Sequence, residues 1–399
     1  MDRNDPDGRQ CYALSYWNDW NQLGILDANL TGSFDAFGRS HDVVFSATQQ
    51  KQYFRRAFGK NLTGDGEFVH DIFNPNSHVI DQPSYVINEP WGEKPQPTTT
   101  YTVLGQVNLN VTNRLTLPVG GRFTWIRSSE GEWTAKKEFT PSLAAVYKVD
   151  DNTTVYAQYA KVFEPNTWNY GWNPAWENGV ALDTSDGILL PNIEGTQYEI
   201  GFKSMVFGGN ALLTGSIFQL VESNRPRDDT TPGHIGTNGD VFSIASGKTR
   251  SRGIELSLDG EVAHGWKLGA GYAYIDAKYV KDDNLTGVEL GTSRHSGDIW
   301  TDYTFENGRY EGLSVGGGVH FKSKFWGDTT DDKNTLRVRA PGYAVVSAKV
   351  SYELNERYSA TLNVDNLLDK KYYTRLGDRS YGNYYGDGRR VSLNLAAKF

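Results

Sequence analysis

Polar and apolar residues alternate along most of this chain with a period of two. Tyr358, Ala360, Leu362 and Val364 are interleaved with Ser359, Thr361, Asn363 and Asp365. Leu313, Val315, Gly317, Val319 and Phe321 alternate with Ser314, Gly316, Gly318, His320 and Lys322. Ala344, Val346, Ala348, Val350 and Tyr352 alternate with Val345, Ser347, Lys349, Ser351 and Glu353. Successive side chains of a strand point to opposite faces, so each segment predicts a strand with one apolar and one polar face. Thr153 to Phe163 alternates less regularly and is read as a strand of the same kind. Helical periodicity is nearly absent.

The connections alternate as well. Short turns are predicted at Val111–Asn113, Val149–Asn152, Val206–Gly209, Glu261–Gly265, Glu306–Glu311 and Leu354–Glu356. Between them lie long polar connections: Arg56–Thr98, Glu164–Asn192, Arg225–Gly239, Lys281–Ser293, Gly327–Arg339 and Asp369–Asp387. Short on one side and long on the other is the layout of an outer-membrane barrel. From about Gln22 the pattern gives roughly 15 strands. The expected organisation is an irregular start over residues 1–21 and one barrel domain over 22–399. The fold class is all-β: an antiparallel transmembrane β-barrel of the outer-membrane type, incomplete.

Composition sharpens this picture. No stretch approaches the ~20 apolar residues that a membrane helix needs, whereas barrel strands are only half hydrophobic and escape that test. Tyr (23) and Trp (11) are frequent, against Met (2) and Cys (1). Both rings favour the membrane–water boundary, where one end is apolar and the other wet. The net charge of −8 argues against nucleic acid as a partner. Lone Cys11 offers no internal disulfide and no zinc-type pair. No HExxH, nucleophile elbow or glycine-rich phosphate loop is present, so an enzyme is not expected. The start, Met1 to Gly8, has no basic segment followed by an apolar one; the chain is expected to begin inside a longer protein.

Several stretches resemble TonB-dependent siderophore receptors. Asn192 to Lys203 (NIEGTQYEIGFK) looks like the family's PxxGxxYExGxK strand, Gly247 to Leu256 (GKTRSRGIEL) like its SRGxEL strand, and Val364 to Tyr373 (VDNLLDKKYY) like its NLFDKxYY segment. The run from Tyr385-Gly386 through Arg389-Arg390 to Phe399 is similar to the family's last strand. Thr116–Trp125 and Thr140–Phe163 match upstream in the same order. The resemblance covers roughly Tyr101 to Phe399, and the ferric-pyoverdine and ferric-coprogen receptors are the subgroup most alike. It implies a barrel of about 22 strands filled by an N-terminal plug and reached by TonB from the inner membrane. About seven strands and the plug are then expected to lie outside this chain. It also implies outer-membrane lipid around the barrel, a ferric siderophore as transported ligand, and no cofactor.

Candidate ligand contacts lie in the long connections. Trp168, Tyr170, Trp172 and Trp176 fall within nine positions. They can form an aromatic basket for a ferric siderophore, or serve as girdle residues and loop anchors. Arg225 and Arg227, at the top of a strand, offer bidentate donors to an anionic chelate, or are solvated loop charges. The same two readings hold for Arg375 and Arg379 beside Tyr381, Tyr384 and Tyr385. The acidic pairs Asp228-Asp229, Asp282-Asp283 and Asp331-Asp332 lack calcium-loop spacing and read as solvated loops. His320 is placed on the polar face of its strand. Two rival functions remain: a passive porin-like channel, and a soluble β-rich carbohydrate-binding domain.

Overall fold

A computed structural model of the chain describes residues 9–13, 15–61, 67–71, 85–87, 97–128, 133–166, 170–171, 188–229, 231, 242–282, 285–331, 334–377 and 383–398. At several strand ends the backbone alone is described. Fifteen strands make up the main path: β1 (Ser15–Ala36), β2 (Arg39–Asn61), β3 (Thr98–Asn110), β4 (Leu115–Arg127), β5 (Trp133–Lys148), β6 (Thr153–Glu164), β7 (Ile193–Val206), β8 (Ala211–Asp228), β9 (Ser243–Ala263), β10 (Trp266–Lys281), β11 (His295–Thr304), β12 (Leu313–Lys322), β13 (Tyr343–Glu353), β14 (Tyr358–Asp365) and β15 (Arg390–Ala397). Each is hydrogen-bonded to the next in sequence order, as a meander. Among the described residues there is no helix beyond the 3-10 turns at Phe207–Gly209 and Gly308–Tyr310.

The start of the chain departs from the sequence reading. Arg9–Ala13 is a strand paired with Glu67–Asp71, and β1 begins at Ser15 rather than near Gln22. Residues 1–21 are therefore not irregular throughout. Asn18, Asp19, Asn21 and Gln22 crowd this segment with polar residues. A strand wet on both faces has no burial difference to impose an alternation.

The chain divides into two compact units, residues 1–30, 45–104 and 122–139, and residues 31–44, 105–121 and 140–399. In the first, Tyr85–Ile87 pairs with the end of β2 through Gly59, Lys60 and Asn61. Phe123 and Phe139 pack with ring centroids 4.7 Å apart.

In the second unit the register shows how two faces arise. Ile200, Ile217, Ile254 and Tyr274 are successive cross-strand partners from β7 to β10. Ile200 is 68% and Ile217 64% exposed, so this row turns apolar surface outward. One step along, Tyr156, Gly201, Ser216, Glu255, Ala273, Ser296 and Lys322 form the next row, on the opposite face. A sheet that is apolar on its outer side and polar on its inner side suits a membrane barrel and not a soluble sandwich. Glycines make room for the larger inner residues. A Cβ at Gly316 would stand 2.5 Å from the Asp302 carboxylate, and one at Gly318 2.5 Å from the Trp300 ring. Asp302 is ion-paired with Lys349 of β13.

Every short turn predicted from the sequence is present. Thr112 Oγ1 accepts from the N–H groups of Arg114 and Leu115 (3.0 and 2.8 Å). Asp150 Oδ1 accepts from Asn152 and Thr153 (both 2.8 Å), and Asn355 Oδ1 from Arg357 and Tyr358 (2.9 and 3.0 Å). These side chains mimic a backbone turn, which is why Thr, Asp and Asn stand there. A further two-residue turn, Phe37-Gly38, joins β1 to β2 with φ of 51° and 73°. Both signs are those of the tight hairpin turn that matches strand twist.

Candidate functional site

The long connections of the second unit all lie at the end of the sheet opposite these turns, and they are tied down where they leave the strands. Asn366, 3% exposed, follows β14. Its amide donates to the carbonyls of Lys370 and Asp387 (both 2.9 Å), and its Oδ1 accepts from the Lys370 N–H (2.7 Å). One side chain thus bridges both ends of the 366–389 connection. Its φ of 49° is a left-handed conformation that Asn tolerates better than most residues. The 165–192 connection is closed in a similar way. Asn192 Oδ1 accepts from the Asn166 N–H (2.9 Å), and the Asn166 amide donates to Leu190 O (2.9 Å). Asn224 of β8 adds a donor to Asn192 O (3.2 Å).

Arg225 and Arg227 stand on β8 as it enters this end, as the sequence placed them. The strand runs to Asp228, beyond the expected boundary at Arg225, because it is bulged. The register shifts between Glu222 and Arg225 and again at Pro226, and Asn224 has φ 60°. The bulge brings the chains close, and a Cβ at Gly247 would lie 2.8 Å from Arg225 O. Arg225 pairs with Glu222 (Nη1–Oε2 3.1 Å), and the same carboxylate oxygen accepts from Thr249 Oγ1 (2.7 Å). Arg227 donates to Ser246 Oγ. Both guanidiniums are partly buried and held by the wall, so they are not freely solvated loop charges.

Arg375 belongs to a small hairpin of Tyr373–Arg375 with Tyr384–Tyr385. Its guanidinium lies 6.0 Å from the Tyr384 ring centroid. Tyr373 and Tyr385 stack at 4.4 Å, with hydroxyl oxygens 2.7 Å apart; that hydrogen bond holds the Tyr373 phenol above its ordinary pKa. Trp168, Trp172, Trp176, Arg379 and Tyr381 lie outside the described residues. Tyr170 is described in its backbone only, paired with Leu189.

Two sequence expectations about polar residues meet the structure here. His320 lines a concavity of about 510 Å³ on the inner face, with Tyr156, Glu199, Glu255, Asp298 and Lys322. The Tyr156 hydroxyl donates to Glu199 Oε1 at 2.6 Å. Asp229, read as a solvated loop acid, is instead 6% exposed, and its Oδ1 accepts from the Thr231 N–H at 3.0 Å.

Sequence reasoning missed Trp326. The segment read as the Gly327–Arg339 loop is a hairpin, Phe325–Asp331 with Asn334–Ala340. Lys324, Arg337 and Arg339 gather on the Trp326 indole, at 5.8, 5.5 and 5.4 Å from its centroid. Trp326 and Arg339 are cross-strand partners, a proximity visible only once the register is known.

Comparison with known proteins agrees with this architecture. Residues 2–367 match the family described as TonB dependent receptor-like, beta-barrel. The ferripyoverdine receptor of Pseudomonas aeruginosa is 30% identical over 99% of this chain and 46% of its own length. The ferric-pyoverdine M114 receptor PbuA of a Pseudomonas strain is 28% identical over 94% of the chain and 45% of its own length. Among solved structures, FpvA of P. aeruginosa bound to a heterologous ferric pyoverdine superposes with TM-score 0.81 and 25% identity. That match covers 99% of this chain and 50% of the other. The Escherichia coli ferric-catecholate import receptor Fiu shares the fold at TM-score 0.76. The chain spans about half the length of these relatives. With a family match over most of its residues and a sheet apolar without and polar within, this chain belongs to the TonB-dependent receptor β-barrel family of the bacterial outer membrane.

Proposed function

We propose that this chain is the C-terminal portion of the barrel of a receptor that takes up ferric siderophores of the pyoverdine class. One observation carries the reading: similarity to ferric-pyoverdine receptors runs along 94–99% of the chain, in sequence and in structure. The long-connection end supports it. Arg225 and Arg227 on the wall, and Arg375 with its tyrosines, offer cationic and aromatic groups to an anionic iron chelate. The sequence reading adds Trp168, Tyr170, Trp172 and Trp176 as a candidate aromatic basket, and Arg379 and Tyr381 as further candidates. Iron rides as its chelate, so neither a catalytic residue nor a resident cofactor is part of this reading. Coupling to TonB and closure by a plug belong to the portion of the receptor outside the span of this chain.

The test is a titration of the receptor carrying this barrel with ferric pyoverdine, followed by quenching of tryptophan fluorescence. Trp168→Ala with Trp172→Ala is expected to weaken binding about tenfold, given the worth of two lost aromatic contacts. Affinity unaltered by the double substitution removes the basket, and failure of the unsubstituted receptor to bind ferric pyoverdine removes the siderophore reading.

A further inference from the structure

Arg375 and its tyrosines stand on a hairpin whose place is set by a neighbour. Tyr343 is the cross-strand partner of Lys322, a member of the inner row, so it too faces the inner side of the sheet. Phe325 and Ala340 are buried with Tyr343, and Tyr372, Tyr373 and Leu376 pack against this cluster. The hairpin that carries Arg375 therefore lies on the inner side of the 325–340 hairpin, where a ligand held within the wall would meet it.

At one point the two hairpins meet backbone against backbone. Gly327 has the parity of Phe325 in its strand and faces the same side. It is buried. A Cβ there would overlap the Gly377 carbonyl oxygen and stand 2.8 Å from Leu376 Cβ. Only a residue without a side chain lets the two segments come so near. The 325–340 hairpin is itself backed by the connection before it. The Trp326 N–H donates to Gly291 O (3.3 Å), and a Cβ at Gly291 would overlap Trp326 O. Ser293 Oγ donates to Ser323 O (3.0 Å), the Ser323 N–H to His295 O (2.7 Å), and the His295 N–H to Ser323 Oγ (3.0 Å). Three successive connections are thus layered, and the middle one has no room to retreat. A methyl group added at Gly327 would be accommodated by displacing Leu376 and Gly377 inward. Arg375 directly precedes them, and the Gly377 N–H donates to Asn383 Oδ1 (3.1 Å), which ties in the second arm.

We propose that Gly327 is a positioning residue for the ligand site. By bearing no side chain it fixes how far the Tyr373–Arg375 hairpin leans inward, and so where the Arg375 guanidinium meets an anionic chelate. This rests on the siderophore reading above and adds to it a residue that touches no ligand. Charge-assisted hydrogen bonds demand close and aligned donors, so a displaced guanidinium loses most of its contribution.

The experiment measures ferric pyoverdine affinity of the receptor carrying this barrel in four forms: unsubstituted, Gly327→Ala, Arg375→Gln, and both together. Each single substitution is expected to weaken binding about tenfold, the worth of one charge-assisted contact. The double variant is expected to match Arg375→Gln within about twofold, because displacing a group already removed has no further effect. Additive losses would give Gly327 a merely structural role and overturn the proposal, as would unaltered affinity in Arg375→Gln. Gly388→Ala lies in the same connection, and its added Cβ would meet only Asp369 Oδ1, at 3.5 Å. It is expected to change nothing; a loss equal to that of Gly327→Ala overturns the contact as the cause. Hydrogen exchange of the Gly377 amide, measured without ligand, separates this inference from the siderophore reading. Faster exchange in Gly327→Ala, in a receptor that does not bind ferric pyoverdine, removes that reading and supports the positioning of the hairpin. Unchanged exchange overturns the positioning role whatever the receptor binds. If Gly327→Ala does not fold, Leu376→Ala, which removes packing on Phe325 without a clash, takes its place in the same cycle.

Discussion

The two ends of the sheet in the second unit solve the same problem by different means. At the turn end, two to eight residues reverse the chain, and a single Thr, Asp or Asn oxygen satisfies the backbone within three positions of itself. At the other end, an Asn side chain reaches across a connection of some twenty residues to bind both of its ends. The first device is local and replaceable. The second closes a long loop, and its loss breaks three partly buried hydrogen bonds at once. The contrast teaches that the long-connection end is not a loose fringe: its connections are fixed at the base.

Breaking the fixed base should have the largest effect. Asn366→Ala removes three partly buried hydrogen bonds and places a residue less suited to φ 49°, at a cost of roughly 2–4 kcal/mol. Limited proteolysis is expected to cut the 366–389 connection faster in this variant, with the strands left intact. Equal cleavage rates would show that the clamp is not what holds the loop. At the turn end, Asp150→Ala loses two bonds to exposed backbone that water can replace, and should cost about 1 kcal/mol in thermal unfolding. A loss matching that of Asn366→Ala would erase the distinction between the two ends.

The smallest effect sharpens the comparison through pH. The Arg389 N–H donates to Asp369 Oδ1 at 3.0 Å and holds that carboxyl below its ordinary pKa. A lowered carboxyl stabilises the folded loop fully above the unfolded value, near pH 4, and loses that contribution as pH falls through the lower folded value. Exchange of the Arg389 amide is therefore expected to accelerate, beyond its intrinsic pH trend, only in strongly acidic solution. Asp369→Asn should make the exchange insensitive to that change.

Much of the wall was legible in the sequence because one physical cause wrote it. Lipid on one side and water on the other impose alternation, and Leu313–Lys322 or Tyr358–Asp365 cannot be read otherwise. The turns were legible for the same local reason that they form. Where strands leave the membrane band, lipid no longer imposes an apolar outer face and the alternation fades. Ser15–Asn21, Arg225–Asp228 and the 325–340 hairpin were thus read as irregular or loop, though all are strand. The groups proposed to meet a ligand were legible only as types. Arg225 could be placed at the top of its strand, but its bond to Glu222 depends on a bulge, and the charges around Trp326 on a register. Neither leaves a mark on composition or period.

The Asn366 tie also bears on how such proteins diversify. Because one amide joins residue 370 to residue 387, whatever lies between them is attached to the wall as a cassette. Lengthening that insert twofold adds only about 0.6 kcal/mol of closure entropy. Its sequence can drift, or be exchanged for another, without altering the pairing of β14 with β15. A lineage could in this way keep one barrel and change what it catches.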